Sequence, residues 1–348
     1  MLLFNKKHIK EIDGHNLIAY ISDKKVGLEG YIAIHRKNSS HPSFGATRLW
    51  NYSLNDDAIK EALRLSRAMS YKSALAGLPC GGGKAVLMSK KDAFTHRKEY
   101  LKSYAKKVNL LGGNFITGSD VGITRDDVML MRKVSPYFVG VKTNPEKFTA
   151  MGLLYGLETC LLSVFGSEDL ANRSFAIQGV GKIGTEFLKL IYSKAKEIYV
   201  ADIDTLRVGE IKKMFPGVIV VTPQEIHKVA VDIFSPCALS NCINHRNVAE
   251  LKCKAIVGGA NNQLENSSIG SLLHRIGIVY APDYVVNAGG LISVYDEYEY
   301  GNTRVKRVEE RIHNIKKTLK KILDESKREK VPTNIVADTM AKEIIASY

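Results

Sequence analysis

The sequence predicts an α/β protein with two domains. At 348 residues the chain is longer than most that fold around one core. From residue 174 onward, strand-like and helix-like patterns alternate regularly, which is typical of a parallel sheet with helices on both faces. The earlier pattern is less regular, and the two parts meet at an irregular stretch, Val141–Pro145. These observations predict a domain boundary near residue 147.

Short strands and amphipathic helices make up the first part of the chain. Alternating apolar residues predict strands, and apolar residues three and four apart predict helices. In chain order we predict strands within Ala19–His35, a helix over Asp56–Tyr71, a strand over Lys84–Met88, a helix over Phe94–Leu111 and a strand over Phe115–Thr117.

The second part begins with a long helix, Thr149–Phe165, and then alternates between strands and helices. The predicted elements are Ser174–Gln178, Ile183–Ser193, Ile198–Ala201, Thr205–Met214, Gly217–Val221, Ile233–Phe234, Ala255–Val257 and Ile278–Tyr280. A basic amphipathic helix follows near residues 306–330. We expect domains of residues 1–147 and 148–321, with C-terminal helices of about 322–348 folding back onto the first.

The net charge of +14 raises the possibility of nucleic-acid binding, but its distribution argues against that. Acidic residues alternate with the lysines in the densest basic segment, as on a solvated helix face. The five cysteines have no metal-binding spacing and are expected to be buried thiols. We found no apolar run of membrane-spanning length and no signal peptide, and we therefore expect a cytoplasmic protein.

The strongest local motif is a glycine-rich turn, Gly179-Val180-Gly181-Lys182-Ile183-Gly184. It follows an apolar strand and opens an amphipathic helix, as in Rossmann-type, doubly wound dinucleotide-binding domains. Asp202 ends the next strand, where an acid bonds ribose hydroxyls and repels a 2′-phosphate, so we expect NAD rather than NADP. Asp204 is an alternative acid, and Lys182 or Arg207 would favour a phosphate.

Two lysines flank a second glycine turn in the first domain. Lys72 closes a largely apolar helix, and Lys84 follows Gly81-Gly82-Gly83 directly. Two ammonium groups in a partly dry site would lower the pKa of at least one of them, which would make it a usable general base. Asp120 follows Gly118-Ser119 at the end of a strand and could bind a ligand closely.

These motifs, in this order, resemble the glutamate/leucine/phenylalanine/valine dehydrogenase family, and specifically its branch that acts on hydrophobic amino acids. The matching segments are Gly45–Arg48, Met69–Lys72, Gly81–Lys84, Thr117–Gly122, Gln178–Gly181, Gly259–Leu264 and Ala281–Gly290. The resemblance implies an N-terminal α/β substrate and catalytic domain, a Rossmann-type domain, and NAD-dependent oxidation of a hydrophobic L-amino acid to a 2-oxo acid and ammonia. It also implies a homo-oligomer.

The resemblance further implies a role for individual residues. Lys84 would activate a water and Asp120 would relay a proton, while Lys72 would bind the substrate carboxylate. The other implied substrate-binding residues are Phe44, Gly45, Ala46, Met69, Gly118, Asn262, Leu291 and Val294. The implied cofactor-binding residues are Gly179, Val180, Gly181, Lys182, Ile183, Gly184, Asp202, Thr149, Cys237, Ala238, Asn261 and Asn287. No metal is implied.

Several departures from the family pattern leave alternatives open. Phe44 and Ala46 add bulk to the implied apolar pocket while Gly118 removes a methyl group, so leucine and aromatic substrates both stay possible. Residues 141–148 replace a longer Gly/Ser-rich loop, and Lys182 replaces a small polar residue. Two other classes of protein are alternatives: a catalytically impaired NAD-binding homologue, and a basic nucleic-acid-binding protein on a Rossmann scaffold.

Overall fold

The chain forms two compact units in a computed structural model that describes residues 9–36, 40–89 and 95–347. Unit 1 consists of Met1–Thr143, Val294–Thr303 and Ala341–Tyr348, and unit 2 of Asn144–Ser293 and Arg304–Met340. The first crossing between units thus lies close to the boundary expected near residue 147.

Unit 1 contains a five-stranded mixed sheet in the order β1-β2-β4-β3-β5. β1 and β2 pair antiparallel, as do β2 and β4, whereas β3 is parallel to both β4 and β5. The strands are β1 Leu17–Asp23, β2 Leu28–Arg36, β3 Ser43–Trp50, β4 Gly81–Met88 and β5 Phe115–Ser119. The helices are α1 Asn55–Leu75, α2 Arg97–Asn109 and α3 Arg125–Arg132. The predicted start of α2 at Phe94 lies outside the described residues.

The two faces of this sheet have separate apolar cores. One core contains Leu87 of β4 and Phe115 of β5 with Tyr104 of α2 and Met131 of α3. The other joins Val86 of β4 to the apolar face of α1. Helix α1 can pack this closely because β4 begins with glycines: a Cβ on Gly82 would overlap the backbone of α1 at Ser66 and Ser70.

Unit 2 contains a six-stranded sheet in the order β11-β10-β9-β6-β7-β8, and every pair of neighbouring strands is parallel. This is the strand order of a Rossmann-type domain. The strands are β6 Ser174–Gln178, β7 Glu197–Ala201, β8 Ile219–Val220, β9 Ile233–Pro236, β10 Ala255–Ile256 and β11 Val279–Tyr280. The helices of this part are α4 Pro145–Phe165, α5 Lys182–Ile191, α6 Thr205–Met214, α7 Ser267–Arg275 and α8 Asp283–Val286.

Helix α4 corrects one expectation drawn from the sequence. By length and composition alone it is long and apolar enough to cross a membrane, although no such segment was expected. Just over half of its most apolar window, 56%, is buried within the protein, as in the core helix of a globular unit. Its Glu158 carboxylate lies 2.7 Å from the Lys316 ammonium of a neighbouring helix in the same unit.

The C-terminal helices also differ from the prediction. The basic segment forms two helices, α10 Val305–Ile312 and α11 Asn314–Glu329, that meet at His313, where one continuous helix was expected. Both belong to unit 2, as does the first half of α12 Thr333–Ala346, so only residues 341–348 join unit 1. The expectation was wrong for residues 322–340, because the buried face of α11, with Leu319, Ile322 and Leu323, packs on α4 and α8 of unit 2.

Helix α9, Gly289–Tyr300, passes from unit 2 into unit 1 at Val294. In unit 1 its Glu297 is buried, and one carboxylate accepts bonds from the Arg132 guanidinium and from backbone N–H groups of Gly140, Val141 and Lys142. These three N–H groups belong to the segment just before the chain enters unit 2. Glu297 therefore fixes the end of the first long section of unit 1.

Candidate functional site

The register of the unit 1 sheet aligns three residues that the sequence singled out. Ala46 of β3 pairs with Lys84 of β4 on one side and with Gly118 of β5 on the other. Paired residues lie on the same face of a sheet, and Gly82, two positions before Lys84, packs against α1. Lys84 therefore projects from the face that α1 covers, with only small residues beside it in the row.

A cluster of five charged side chains lies at this face. The Lys84 ammonium is 2.5 Å from Oδ2 of Asp120, and Nε of Arg48 is 2.9 Å from the same oxygen. Nη1 of Arg48 donates to Oε1 of Glu61 at 2.6 Å. Oε2 of Glu61 accepts a bond from Arg64 of the same helix at 2.8 Å. The exposed fractions of the side chains are 7% for Lys84 and 18% for both Asp120 and Glu61.

Burial shapes the electrostatics of this cluster. Loss of hydration is the largest cause that lowers the pKa of Lys84, and the positive charge of Arg48 lowers it further, while Asp120 opposes both. Burial alone would raise the pKa of Asp120. The charges of Lys84 and Arg48, and the hydrogen bond from Lys84, instead hold it well below the usual range for an aspartate. The cluster thus contains an ionised carboxylate beside an amine that gives up its proton readily.

Two features of the cluster differ from the sequence analysis. The like charge that lowers the pKa of Lys84 is the guanidinium of Arg48, whereas Lys72 was expected to supply it. Sequence reasoning also assigned no role to Arg48 or Glu61. Arg48 lies in the quoted Gly45–Arg48 motif, two positions beyond Ala46 on the same face of β3, and that spacing was the available signal.

Lys72 and Met69 lie in the last two turns of α1, and both are partly exposed. Gly45 is packed: a Cβ there would overlap the carbonyl of Gly83 in the neighbouring strand. The fixed role of Gly45 in this structure is therefore to let β3 and β4 approach.

The implied side-chain pocket in unit 1 is partly aromatic. Phe44 is fully buried, with its ring centroid 5.2 Å from that of Tyr295 and 5.1 Å from that of Tyr298. A methyl group added at Gly118 would lie 3.0 Å from the carbonyl oxygen of Val139, so the room beside Gly118 is narrow. Val294 of unit 1 and Leu291 of unit 2 are both half-buried residues of α9.

In unit 2 the glycine turn joins β6 to α5. Gly179 has a φ of +94°, and a Cβ there would lie 2.7 Å from the Cβ of Ala238. A Cβ at Gly184 would overlap the carbonyl oxygen of Gly179, so the start of α5 packs tightly on the turn. Gly181 is different, since the nearest atom to an added Cβ is Nη1 of Arg207 at 3.8 Å. The turn therefore leaves open space at Gly181, where α5 starts with no side-chain cap on its N–H groups.

Asp202, and not Asp204, faces the glycine turn. Oδ2 of Asp202 accepts the N–H of Val180 at 2.9 Å, and its side chain is 9% exposed. The Asp204 carboxylate instead caps α6 by accepting the N–H of Arg207. The guanidinium of Arg207 lies 3.3 Å from Asp204 and 3.8 Å from Asp202. The exposed ammonium of Lys182 lies 3.4 Å from Glu146.

A group of amide side chains lies elsewhere in unit 2. Asn287 is buried and donates to Oδ1 of Asn261 at 3.0 Å, while its own Oδ1 has no hydrogen-bond partner among the described residues. Asn262 has a left-handed backbone, and its N–H donates to Asp283 at 2.7 Å. An unpartnered buried amide oxygen of this kind is suited to accept a bond from a ligand.

Thr149 and Cys237 each donate a hydrogen bond to a backbone carbonyl of unit 2. The hydroxyl of Thr149 donates to the Pro145 carbonyl at 2.8 Å within the first turns of α4. Cys237 follows β9, and its N–H donates to the Gln178 carbonyl at 2.7 Å. Burial raises the pKa of the Cys237 thiol to about 12, so it stays a neutral group beside the turn.

Family models match both parts of the chain. The model described as "Glu/Leu/Phe/Val dehydrogenase, dimerisation domain" matches residues 18–136. The model described as "Glutamate/Leucine/Phenylalanine/Valine dehydrogenase" matches residues 194–347.

Full-length relatives support the same grouping. The chain is 40% identical to an L-tryptophan dehydrogenase of Nostoc punctiforme over 100% of this chain and 97% of that one. It is 37% identical to a leucine dehydrogenase of Bacillus cereus, with 95% and 90% of the two chains covered. Among solved structures, the L-tryptophan dehydrogenase from Nostoc punctiforme is similar with a TM-score of 0.84, 36% identity and 98% coverage of each chain.

Proposed function

Because the chain belongs to the glutamate/leucine/phenylalanine/valine dehydrogenase family, in its hydrophobic amino-acid branch, we propose that it oxidises a hydrophobic L-amino acid to the 2-oxo acid and ammonia with NAD. The observation that carries the proposal is the nearly buried pair of Lys84 and Asp120, 2.5 Å apart. A catalytically impaired homologue would be expected to lack one of these groups, and a nucleic-acid-binding protein has no need of them.

The residues of unit 1 supply binding and proton transfer. Lys72 holds the substrate carboxylate as a point charge. Asp120 takes a proton from the amino nitrogen: an N–H bond breaks, an O–H bond forms, and the electron pair stays on nitrogen. Lys84, whose pKa is lowered by burial, takes a proton from the water that adds to the imine carbon, and it returns that proton to the nitrogen as the C–N bond breaks and ammonia leaves. Neutral again, Lys84 takes the remaining hydroxyl proton as the C=O bond forms, and the protons on Asp120 and Lys84 then pass to ammonia and solvent. The chemistry that bound NAD would supply is an acceptor for the hydride of the α-carbon.

The residues of unit 2 fit a nicotinamide dinucleotide. The open space at Gly181 and the uncapped N–H groups of α5 are suited to a pyrophosphate. The Asp202 carboxylate, which accepts the N–H of Val180 in the turn, supports its proposed role as an acceptor for ribose hydroxyls, and Oδ1 of Asn287 supports a further acceptor. We propose NAD over NADP because the Asp202 carboxylate repels a 2′-phosphate and Arg207 already lies beside two acids.

The direct test is NADH production, followed at 340 nm at alkaline pH, with a panel of L-amino acids. We expect activity with leucine, phenylalanine or tryptophan and little with glutamate or lysine. Absence of turnover with every hydrophobic amino acid would contradict the proposal. The panel also ranks branched-chain against aromatic substrates. Phe44 and Gly118, which line the implied side-chain pocket, are expected to affect that preference. A homo-oligomer and a cytoplasmic location stay predictions.

Replacing Asp202 by serine should shift cofactor preference. We expect the ratio of kcat/KM for NADP to that for NAD to rise about tenfold, which corresponds to roughly 1.4 kcal/mol. The reason is loss of charge repulsion at the 2′-position. Asp204→Ser is the matched control, because Asp204 caps α6 and does not bond the turn. Equal effects of the two substitutions would contradict the assignment of Asp202.

The glycines of the turn provide a matched pair. Gly181→Ala should leave the unfolding midpoint unchanged, because its Cβ meets open space, and should weaken NADH binding about tenfold or more. Gly184→Ala should destabilise unit 2 by about 1–3 kcal/mol, because its Cβ overlaps the Gly179 carbonyl. Fluorescence titration with NADH and thermal unfolding measure the two effects. If Gly181→Ala binds NADH normally, the pyrophosphate does not lie there.

A further inference from the structure

The charged cluster of unit 1 contains more than the two groups to which the reaction is assigned. Lys84 and Arg48 both bond Oδ2 of Asp120, at 2.5 and 2.9 Å, and neither contacts Oδ1 through a described bond. Two side chains from neighbouring strands, Lys84 of β4 and Arg48 of β3, thus bond the same carboxylate oxygen. This arrangement fixes the plane of the carboxylate far better than one flexible ammonium can.

Arg48 is itself held in place. Its Nη1 bonds Glu61 at 2.6 Å, and the second oxygen of Glu61 bonds Arg64 at 2.8 Å. Charges therefore alternate along a chain of five side chains, from Lys84 through Asp120, Arg48 and Glu61 to Arg64. Only Arg64, with 39% of its side chain exposed, reaches well into solvent. Because Arg48 is held at both Nε and Nη1, its guanidinium has little freedom to turn away from Asp120.

We infer that Arg48 is a positioning residue for the proton transfers of Asp120 and Lys84. It holds Oδ2 beside Lys84, so that neither cation occupies Oδ1 of the carboxylate. Glu61 secures Arg48 in that position. The inference rests on the proposed function and adds to it a residue that acts through its neighbours and does not touch the substrate.

The charge of Arg48 also affects the pKa of Lys84, and this effect predicts the direction in which the pH profile of a variant moves. A positive charge beside Lys84 favours the neutral amine, so removing that charge raises the pKa of Lys84. Turnover needs neutral Lys84 and is lost as pH falls through its pKa, so the acid limb of the pH profile moves to higher pH. Removing the negative charge of Glu61 acts in the opposite direction on Lys84.

Three charged groups act on the pKa of Lys84: Arg48 from β3, Asp120 after β5 and Glu61 from α1. Arg64, also from α1, bonds Glu61. Tyr52, from the loop after β3, lies near Arg48 and Glu61, but burial raises its pKa to about 12, so it stays neutral over the range of the assay.

The experiment compares the pH dependence of kcat/KM in four variants of the full chain. We expect Arg48→Gln to move the acid limb up by about one pH unit. In Arg48→Lys the acid limb should lie close to its wild-type position, because lysine keeps the positive charge. Glu61→Gln should leave the limb in place or move it down. Arg64→Gln is the matched control, with the same loss of charge two links further away, and should not move the limb.

Two results would overturn the inference. One is an Arg48→Gln variant that loses kcat with its acid limb unmoved, and the other is a shift of the same sign in Arg48→Gln and Glu61→Gln. Competitive acetylation of Lys84 across pH, read by mass spectrometry, measures the same pKa without turnover. An inactive wild-type protein would contradict the proposed function, while the acetylation profiles of the variants would still decide the role of Arg48.

Discussion

Replacing Lys84 by alanine is expected to lower kcat for amino-acid oxidation by about 10³-fold. Of the two described side chains that bond Asp120, Lys84 can both give up and regain a proton, whereas the other is the Arg48 guanidinium. NADH binding should stay within about twofold of wild type, because its residues lie in unit 2. Steady-state kinetics and fluorescence titration measure the two quantities.

Lys102→Ala provides the control, because Lys102 is an exposed residue of α2 that the site does not use. It should retain wild-type turnover. A Lys84→Ala protein that folds and still turns over at more than about a tenth of the wild-type rate would place the base elsewhere.

Replacing Glu297 by alanine should cost about 3 kcal/mol of the free energy of unfolding of unit 1. The Glu297 carboxylate is 1% exposed, and its loss leaves three N–H groups of residues 140–142 and the Arg132 guanidinium without their acceptor. Urea unfolding followed by circular dichroism measures the change.

Glu99→Ala is the matched control, an exposed glutamate in the first turn of α2. It should change the free energy of unfolding by no more than about 1 kcal/mol. Equal effects at the two positions would mean that the contacts of Glu297 do not secure residues 140–142.

The sequence was most informative where a function depends on local pattern. The glycine turn was recognised because its glycines, the strand before it and the helix after it are adjacent in the chain. Asp202 followed from its position directly after β7. The choice between Asp202 and Asp204 needed coordinates, because it depends on which carboxylate caps α6 and which accepts the N–H of Val180.

The charged cluster shows where sequence reasoning reached its limit. Arg48 meets Asp120 across 72 positions of sequence, and Lys84 meets it across 36. No periodicity in a single segment predicts such a pairing, because it depends on the register of β3 between β4 and β5. The C-terminal helices failed for a related reason: an amphipathic pattern shows that α11 buries one face and does not show which unit that face packs against.

The contacts of Glu297 also determine how late in synthesis part of unit 1 can become ordered. Glu297 lies 165 positions after its partner Arg132, and the long unit 2 section Asn144–Ser293 lies between them. At a synthesis rate of about 5–20 residues per second, the carboxylate leaves the ribosome roughly 10–30 s after the arginine. Residues 140–142 of unit 1 therefore cannot gain their contacts with Glu297 until the unit 2 section Asn144–Ser293 has been made. Until then, the backbone N–H groups of residues 140–142 lack the carboxylate that accepts their hydrogen bonds in the folded protein.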